Sequence, residues 1–449
     1  MLIANLLPIA AEVSAENGSL VLAAVLLNLV VIYLASKVGG EIANRMGFPP
    51  VLGELVGGVI VGVSALHLIV FPDKDPTGAN SLIMQFLQVT GGLTVEATPE
   101  VFSSTSEVIS VLAELGVIIL LFEVGMESDL RELVKVGGLA VIVAVVGVTV
   151  PFALGTIGAI LIFHVPTIPA IFAGAALTAT SIGITSKVLS EIGQLSSKEG
   201  QIILGAAVID DILGIIVLAV VASLAKTGEV DITNLVYLIL SSAGFLVGAI
   251  LLSKVFNTLF IKVSKSFQTR GNLVVPAFIF AFAMAYIGSA IHLEAILGSF
   301  AAGLILDETD EKNELQYQVV PIADLLMPAF FISVGAKTDL GVLNPAIPAN
   351  REGLVIAMFL ITVAILGKVV TGFAVFGDPN LNRLAIGVGM IPRGEVGLVF
   401  AGIGSSSGVL SEALNAAIIM MVIITTFLAP PLLRLVFPSS TPKSSPAEA

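Results

Sequence analysis

The chain has 449 residues, 56% of them hydrophobic and only 12% charged, with a net charge of −13, no cysteine and a mean hydropathy of +1.06. A soluble globular protein is about a quarter charged, so this chain lacks the charge to cover a water-facing surface of its size. Those totals exclude a cytosolic enzyme, a secreted disulfide scaffold and a disordered chain; an acidic balance with no Lys/Arg-rich run argues against nucleic acid.

Taken in chain order against a bilayer core of about 30 Å, crossed at about 1.5 Å per residue, the apolar runs predict an all-α polytopic membrane protein. Thirteen spans are expected, at 20–37, 50–70, 109–125, 138–163, 168–190, 199–224, 235–255, 273–290, 292–306, 321–337, 353–376, 381–405 and 413–436. Residues 1–19 are expected to form an extracytoplasmic segment. They begin apolar but lack the basic flank of a signal peptide. The stretch 71–108, rich in Pro, Gly, Thr and Asp, reads as the one sizeable loop, and 437–449 reads as a disordered cytoplasmic tail.

Basic residues orient the spans. With alternate loops assigned to one face from the N-terminus, that face receives four of them: Lys74, Lys226, Lys337 and Arg351. The other face receives fourteen, among them Lys37, Arg45, Arg131, Lys187, Lys262, Arg270, Lys312 and Arg383. An N-terminus outside and a C-terminus in the cytoplasm follow. No Walker-type phosphate loop occurs and no soluble domain remains, so no nucleotide partner is expected. Any uphill transport must draw on an ion gradient.

Ionisable groups at mid-membrane cost roughly 2.5–3.5 kcal/mol each on insertion scales, and this chain has several. Glu54, Glu114, Asp210, Asp211, Asp324, Lys368, Arg393 and Glu395 fall within spans, and Glu123 and Glu294 lie nearer span ends. The sharpest feature is Asp210-Asp211, two adjacent carboxylates in the middle of an apolar helix. Neighbours on a helix point about 100° apart, so they cannot serve one partner equally, and like charges so close titrate as a coupled unit. Lys368, alone in the run 353–376, is the natural cation for one of them. A buried Asp–Lys pair that only fixes helix packing explains one aspartate and leaves the other. That second carboxylate, Asp210 or Asp211, is then available to exchange a proton or a metal ion.

Two spans look broken. Leu177 to Ser186 gathers Thr178, Thr180, Ser181, Thr185 and Ser186 around Gly183 at mid-depth. Gly387 to Gly397 contains Pro392-Arg393-Gly394-Glu395, where proline stops the hydrogen-bond ladder. Freed carbonyls and hydroxyls are hard oxygen ligands for Na⁺, K⁺ or Li⁺, and half-helix ends add their dipoles. The plainer alternatives are interhelical hydrogen bonding for the hydroxyls and a local Arg393–Glu395 ion pair bracing the break. Offset by 214 residues, Ser181-Ile182-Gly183-Ile184 falls on Glu395-Val396-Gly397-Leu398, and Asp211 falls on Thr425. Spans four to six are thereby repeated as eleven to thirteen in opposite orientation, and breaks at matching repeat positions point to a transporter's site.

At these residues the chain resembles the monovalent cation:proton antiporter family 2, the sodium/proton and potassium-efflux antiporter group, and most of all its cyanobacterial members. The resemblance runs from about residue 20 to 436. It rests on Met46 to Glu54, Leu115 to Phe122 with Gly125, Ile296 to Gly303, and Pro392-Arg393-Gly394-Glu395. The Asp210-Asp211 pair is similar to the two-aspartate signature of electrogenic members, whose electroneutral relatives carry Asn before a single Asp.

The resemblance implies that Asp211 carries the cation and the proton, that Asp211 and Asp210 are the Na⁺ ligands, and that Asp210 pairs with Lys368. It also implies that Thr180 and Ser181 lie where the two broken helices cross. It further implies a homodimer in lipid, needing no cofactor beyond the transported Na⁺ (or K⁺ or Li⁺) and H⁺. In this arrangement a core of 138–224 and 353–436 moves against a scaffold of 20–125 and 273–337, and 235–255 links them. The expected setting is a bacterial inner membrane or a thylakoid membrane. Glu123, where many potassium-efflux members carry an apolar residue, and the absence of a nucleotide-binding regulatory domain favour the sodium/proton branch. The rival readings are a sodium-coupled symporter of an organic anion, a passive cation channel, and a proton-translocating subunit of a redox complex. None of these, nor the antiporter, is an enzyme of covalent chemistry.

Overall fold

The structure, a computed structural model, describes residues 2–72, 75–227, 231–307, 309, 311–344, 346, 348–376 and 378–437; for 2–16, 225–227, 343, 348–350, 395 and 406 it describes the backbone alone. The expected tail beyond 437 and the side chain of Glu395 therefore lie outside the described residues. Among those residues every regular element is helical. In order they are α1 (Leu2–Arg45), α2 (Pro50–Val61), α3 (Leu82–Thr90), α4 (Thr98–Glu127), α5 (Leu130–Phe163), α6 (Thr167–Ala176), α7 (Ile182–Glu191) and α8 (Lys198–Thr227). There follow α9 (Ile232–Ser266), α10 (Val274–Ala290), α11 (Ala295–Asp307), α12 (Lys312–Ala336), α13 (Pro348–Phe373), α14 (Arg383–Gly389), α15 (Glu395–Ser406) and α16 (Glu412–Val436).

Among the described residues eight helices are long and apolar enough to cross a membrane: α1, α4, α5, α8, α9, α12, α13 and α16. Five shorter apolar helices, α2, α6, α10, α11 and most of α15, occupy the remaining expected spans. The fifth and twelfth spans are interrupted where expected, between α6 and α7 and between α14 and α15.

The boundaries depart from the sequence expectation in three places. The helix of the first span begins at Leu2, so the expected N-terminal segment is continuous with it. The second span stops at Val61, well short of residue 70, where Gly62 leaves helical geometry. The expected loop 71–108 instead contains all of α3 and the first third of α4. Local polar bonding explains this. The buried Asp75 carboxylate accepts the backbone N–H groups of Thr77, Gly78 and Asn80 and the Thr77 hydroxyl. Burial alone would raise its pKa, but these donors outweigh burial and hold the carboxyl below its usual range. Ser81 then caps α3 by accepting from Met84 N–H. Polar residues that diluted the hydropathy, such as Thr105, bond back to the preceding turn of α4.

The chain divides into two compact units, residues 1–117 with 324–341, and residues 118–323 with 342–449. In the first, α1 and α2 approach until a Cβ on Gly53 would lie 2.0 Å from the Gly39 carbonyl, and one on Gly58 2.4 Å from that of Ile332. In the second, a Cβ on Gly298 would lie 2.1 Å from the Met284 carbonyl, and one on Gly303 2.2 Å from that of Phe122. These are two copies of one device: an offset of 245 residues carries Gly53 to Gly298, Gly58 to Gly303 and Gly39 to Met284. Glycine is required here for backbone approach, the usual means of packing helices in lipid.

Within the second unit the helices differ in burial. Of the most apolar window, 61% is buried in α8 and 67% in α16, against 17% in α9. The two helices of the internal repeats that follow the breaks are thus central, and α9 lies at the periphery. Each repeat packs similarly: α5 on α6 and α8, α13 on α14 and α16. α5 and α13 meet where Gly367 faces Pro151, with 2.9 Å left for a Cβ.

Replacing Gly303 by Val forces α11 from α4. The expected cost is about 1–3 kcal/mol, as for overpacked cores, read as a lowered thermal midpoint by circular dichroism in detergent; Gly137→Val, at a position with open space around it, should leave the midpoint in place.

Candidate functional site

Both breaks leave backbone groups that lipid cannot satisfy, and each break satisfies the other. Ser181 N–H donates to the Pro392 carbonyl at 2.9 Å, the Thr180 hydroxyl to Met390 O at 3.1 Å and the Thr185 hydroxyl to Gly389 O at 3.2 Å. The Thr426 hydroxyl of α16 donates to the Arg393 carbonyl. Approach is close enough that a Cβ on Gly394 would lie 2.8 Å from Ser181 Oγ. The two interrupted helices therefore cross at their breaks, and α7 and α15 both begin at the crossing.

Asp210 and Asp211, in the central helix α8, turn to different surroundings. Asp210 is fully buried and its Oδ2 accepts from Lys368 Nζ of α13 at 3.0 Å. Lys368 is also fully buried, and Gly147 of α5 gives its ammonium room, with a Cβ there 3.2 Å from Nζ. Asp211 is 3% exposed and borders a small cavity. That cavity is also lined by Thr180, Ser181 and Ile182 at the start of α7, by Gly394 and Val396 at the start of α15, and by Glu294 and Ile296. The positive ends of two half-helices thus flank one carboxylate, with hydroxyl oxygens beside it. Such a place suits a proton or a small, hard monovalent cation as substrate.

Arg393 is fully buried as well, and its Nη1 donates to Met390 O at 3.2 Å. It lies within Coulombic range of Asp210. Among the described residues its Nε and Nη2 have no hydrogen-bond partner. Because the Glu395 side chain is outside the described residues, the expected Arg393–Glu395 pair has no geometry here. Among the other intramembrane acids singled out in the sequence, Glu114 and Asp324 are exposed, Glu123 is buried in α4, and Glu54 accepts from Ser36 at 2.9 Å. Thr425, the repeat counterpart of Asp211, bonds back to Met421 O at 2.7 Å.

The family model described as the transmembrane domain of sodium/hydrogen exchangers matches residues 24–437. The chain belongs to the sodium/hydrogen exchanger family. It is 62% identical over 437 residues to the high-affinity Na(+)/H(+) antiporter NhaS3 of Synechocystis sp., a match covering 97% of this chain and 95% of the other. It is 31% identical over 413 residues to the Na(+)/H(+)-K(+) antiporter GerN of Bacillus cereus, covering 91% and 95%. The sodium proton antiporter MjNhaP1 of Methanocaldococcus jannaschii shares the fold. Its structure matches with a TM-score of 0.60 over 93% of this chain and 98% of that one, at 18% identity.

For this exchanger, six of the residues singled out in the sequence fall into one neighbourhood: Asp210 with Lys368, Asp211 with Thr180 and Ser181, and Arg393 beside the crossing. Sequence reasoning gave Glu294 no role, although it lines the Asp211 cavity. Its only signal was a carboxylate near one end of the short expected span 292–306.

The Asp210–Lys368 pair predicts a stability pattern. Lys368→Met removes the cation hydrogen-bonded to a buried carboxylate and should cost about 3–5 kcal/mol, seen as a large fall in thermal midpoint by circular dichroism. Combining it with Asp210→Asn should recover most of that loss.

Proposed function

We propose that this chain is a secondary antiporter that exchanges Na⁺ for H⁺ by alternating access, with Asp211 carrying each in turn. The observation that carries the reading is the cavity at the helix crossing, where Asp211 meets the Thr180 and Ser181 hydroxyls and the starts of two half-helices. Protonated and cation-loaded Asp211 exclude one another. Either form can be occluded while the core, 138–224 and 353–436, moves against the scaffold. An ionised Asp211 holding neither would have to be buried as a bare charge, and that cost makes exchange obligatory.

Na⁺ is the favoured cation because the relatives NhaS3 and GerN are both named for Na⁺/H⁺ exchange. Li⁺ and K⁺ meet the same ligand chemistry. No covalent step is involved, so the chain is not an enzyme. A sodium-coupled symporter of an organic anion is less well supported: its anion site would need Arg393, which is fully buried.

In the proposed cycle Asp210 takes a proton when Lys368 releases it, so that net charge crosses with each turnover. The N-terminus lies outside and the basic loops face the cytoplasm, in a bacterial inner membrane or a thylakoid membrane. The working form is a homodimer joined through the scaffold.

Two variants test this reading in proteoliposomes loaded with a pH-sensitive dye. Asp211→Asn should abolish proton efflux on Na⁺ addition, and efflux at the wild-type rate would overturn the assignment. Asp210→Asn with Lys368→Gln should keep exchange but lose its dependence on membrane potential.

A further inference from the structure

The α10–α11 hairpin is short for a pair of membrane helices. α10 has 17 residues and α11 has 13, so at about 1.5 Å per residue they are about 25 and 20 Å long, against a hydrocarbon core of about 30 Å. Both have their far ends on the face with the basic loops, α10 following Lys262, Lys265 and Arg270 and α11 leading to Lys312. The tip, turned by the left-handed His292 (φ 65°), therefore lies at the end of the hairpin away from those loops. Glu294 is at that tip, half-buried, directly before α11, and lines the cavity that holds Asp211, Thr180 and Ser181. Among the described residues the lining contains two carboxylates and no basic side chain, so the cavity concentrates cations.

The other repeat lacks this group. The 245-residue offset that superimposes Gly53 on Gly298 sets the first residue of α2, Pro50, on the first residue of α11, Ala295, and puts Pro49 where Glu294 stands. The carboxylate at the hairpin tip is thus a feature of one face only.

We propose that Glu294 is a cation-recruiting residue: it draws monovalent cations toward the Asp211 cavity from the face opposite the basic loops. Its negative charge, and not a fixed coordination geometry, does the work. This rests on the exchange reading for its transport consequence, but cation binding tests it separately. Glu294→Gln should raise the half-saturating Na⁺ concentration five- to tenfold when Na⁺ is added on that face. The value on the basic face and the maximal rate should stay within twofold of wild type. Raising the ionic strength with choline chloride should bring variant and wild type together, because screening removes a field effect; Glu294→Asp should restore near-wild-type behaviour.

Equilibrium binding of radioactive Na⁺ to the folded, detergent-solubilised proteins gives the second readout, with Glu294→Gln expected to weaken it to a similar extent. An unchanged half-saturation on both faces overturns the proposal, as does a loss of maximal rate alone. If wild type binds Na⁺ but moves no protons, the exchange reading fails; Glu294 is then judged on binding alone, and unweakened binding in Glu294→Gln overturns it.

Discussion

A polypeptide can leave the helix at membrane depth only where protein satisfies the groups it frees, and the rest of this structure depends on how that constraint is met. The break between α6 and α7 and the break between α14 and α15 supply each other's partners, through Ser181 to Pro392, Thr180 to Met390 and Thr185 to Gly389. The crossing places the start of α7 beside the start of α15 and sets both against α8. A carboxylate on α8 then meets two positive helix ends in a pocket lined with hydroxyls. The site is a by-product of solving a backbone problem, and Thr180 takes part in both the solution and the site.

The same economy governs packing. In lipid, apolar contact does little to drive helices together, so close backbone approach at small residues carries more of the association. The glycine contacts of α2 with α1, and of α11 with α10, are two copies of one solution. Around the crossing, charge joins glycine as a specifying element. Asp210 and Lys368 fix α8 to α13 with a bond that neither helix can make alone. A buried pair of this kind adds little net stability but penalises any packing that separates it.

Much of this was legible in the residues, for reasons that can be named. Long apolar runs gave the spans because no other residue order pays for burial in lipid. Pro392 among glycines, and the hydroxyl cluster from Thr178 to Ser186, revealed the two breaks because each type is costly in an isolated span. Lys368 was legible because it is the only charge in its run. What escaped did so because its signal is generic. α3 and the start of α4 were hidden by Ser, Thr and Pro residues whose side chains bond locally. The 245-residue repeat was masked by interchangeable Val, Ile and Leu around a few glycines. Glu294 resembled any acid at the end of a short span, since its distinction is the cavity it faces, and that depends on α8 and the two breaks.

The Asp210–Lys368 bond also has a consequence in time. Its partners are 158 residues apart, and at about 5–20 residues per second a ribosome takes about 8–30 s to make the chain between them. Throughout that interval α8 exists without Lys368 and without Arg393, the two buried cations that later lie near Asp210. The first repeat is therefore made before its central charge can be balanced, and it reaches its final state only when the second repeat has followed it into the membrane.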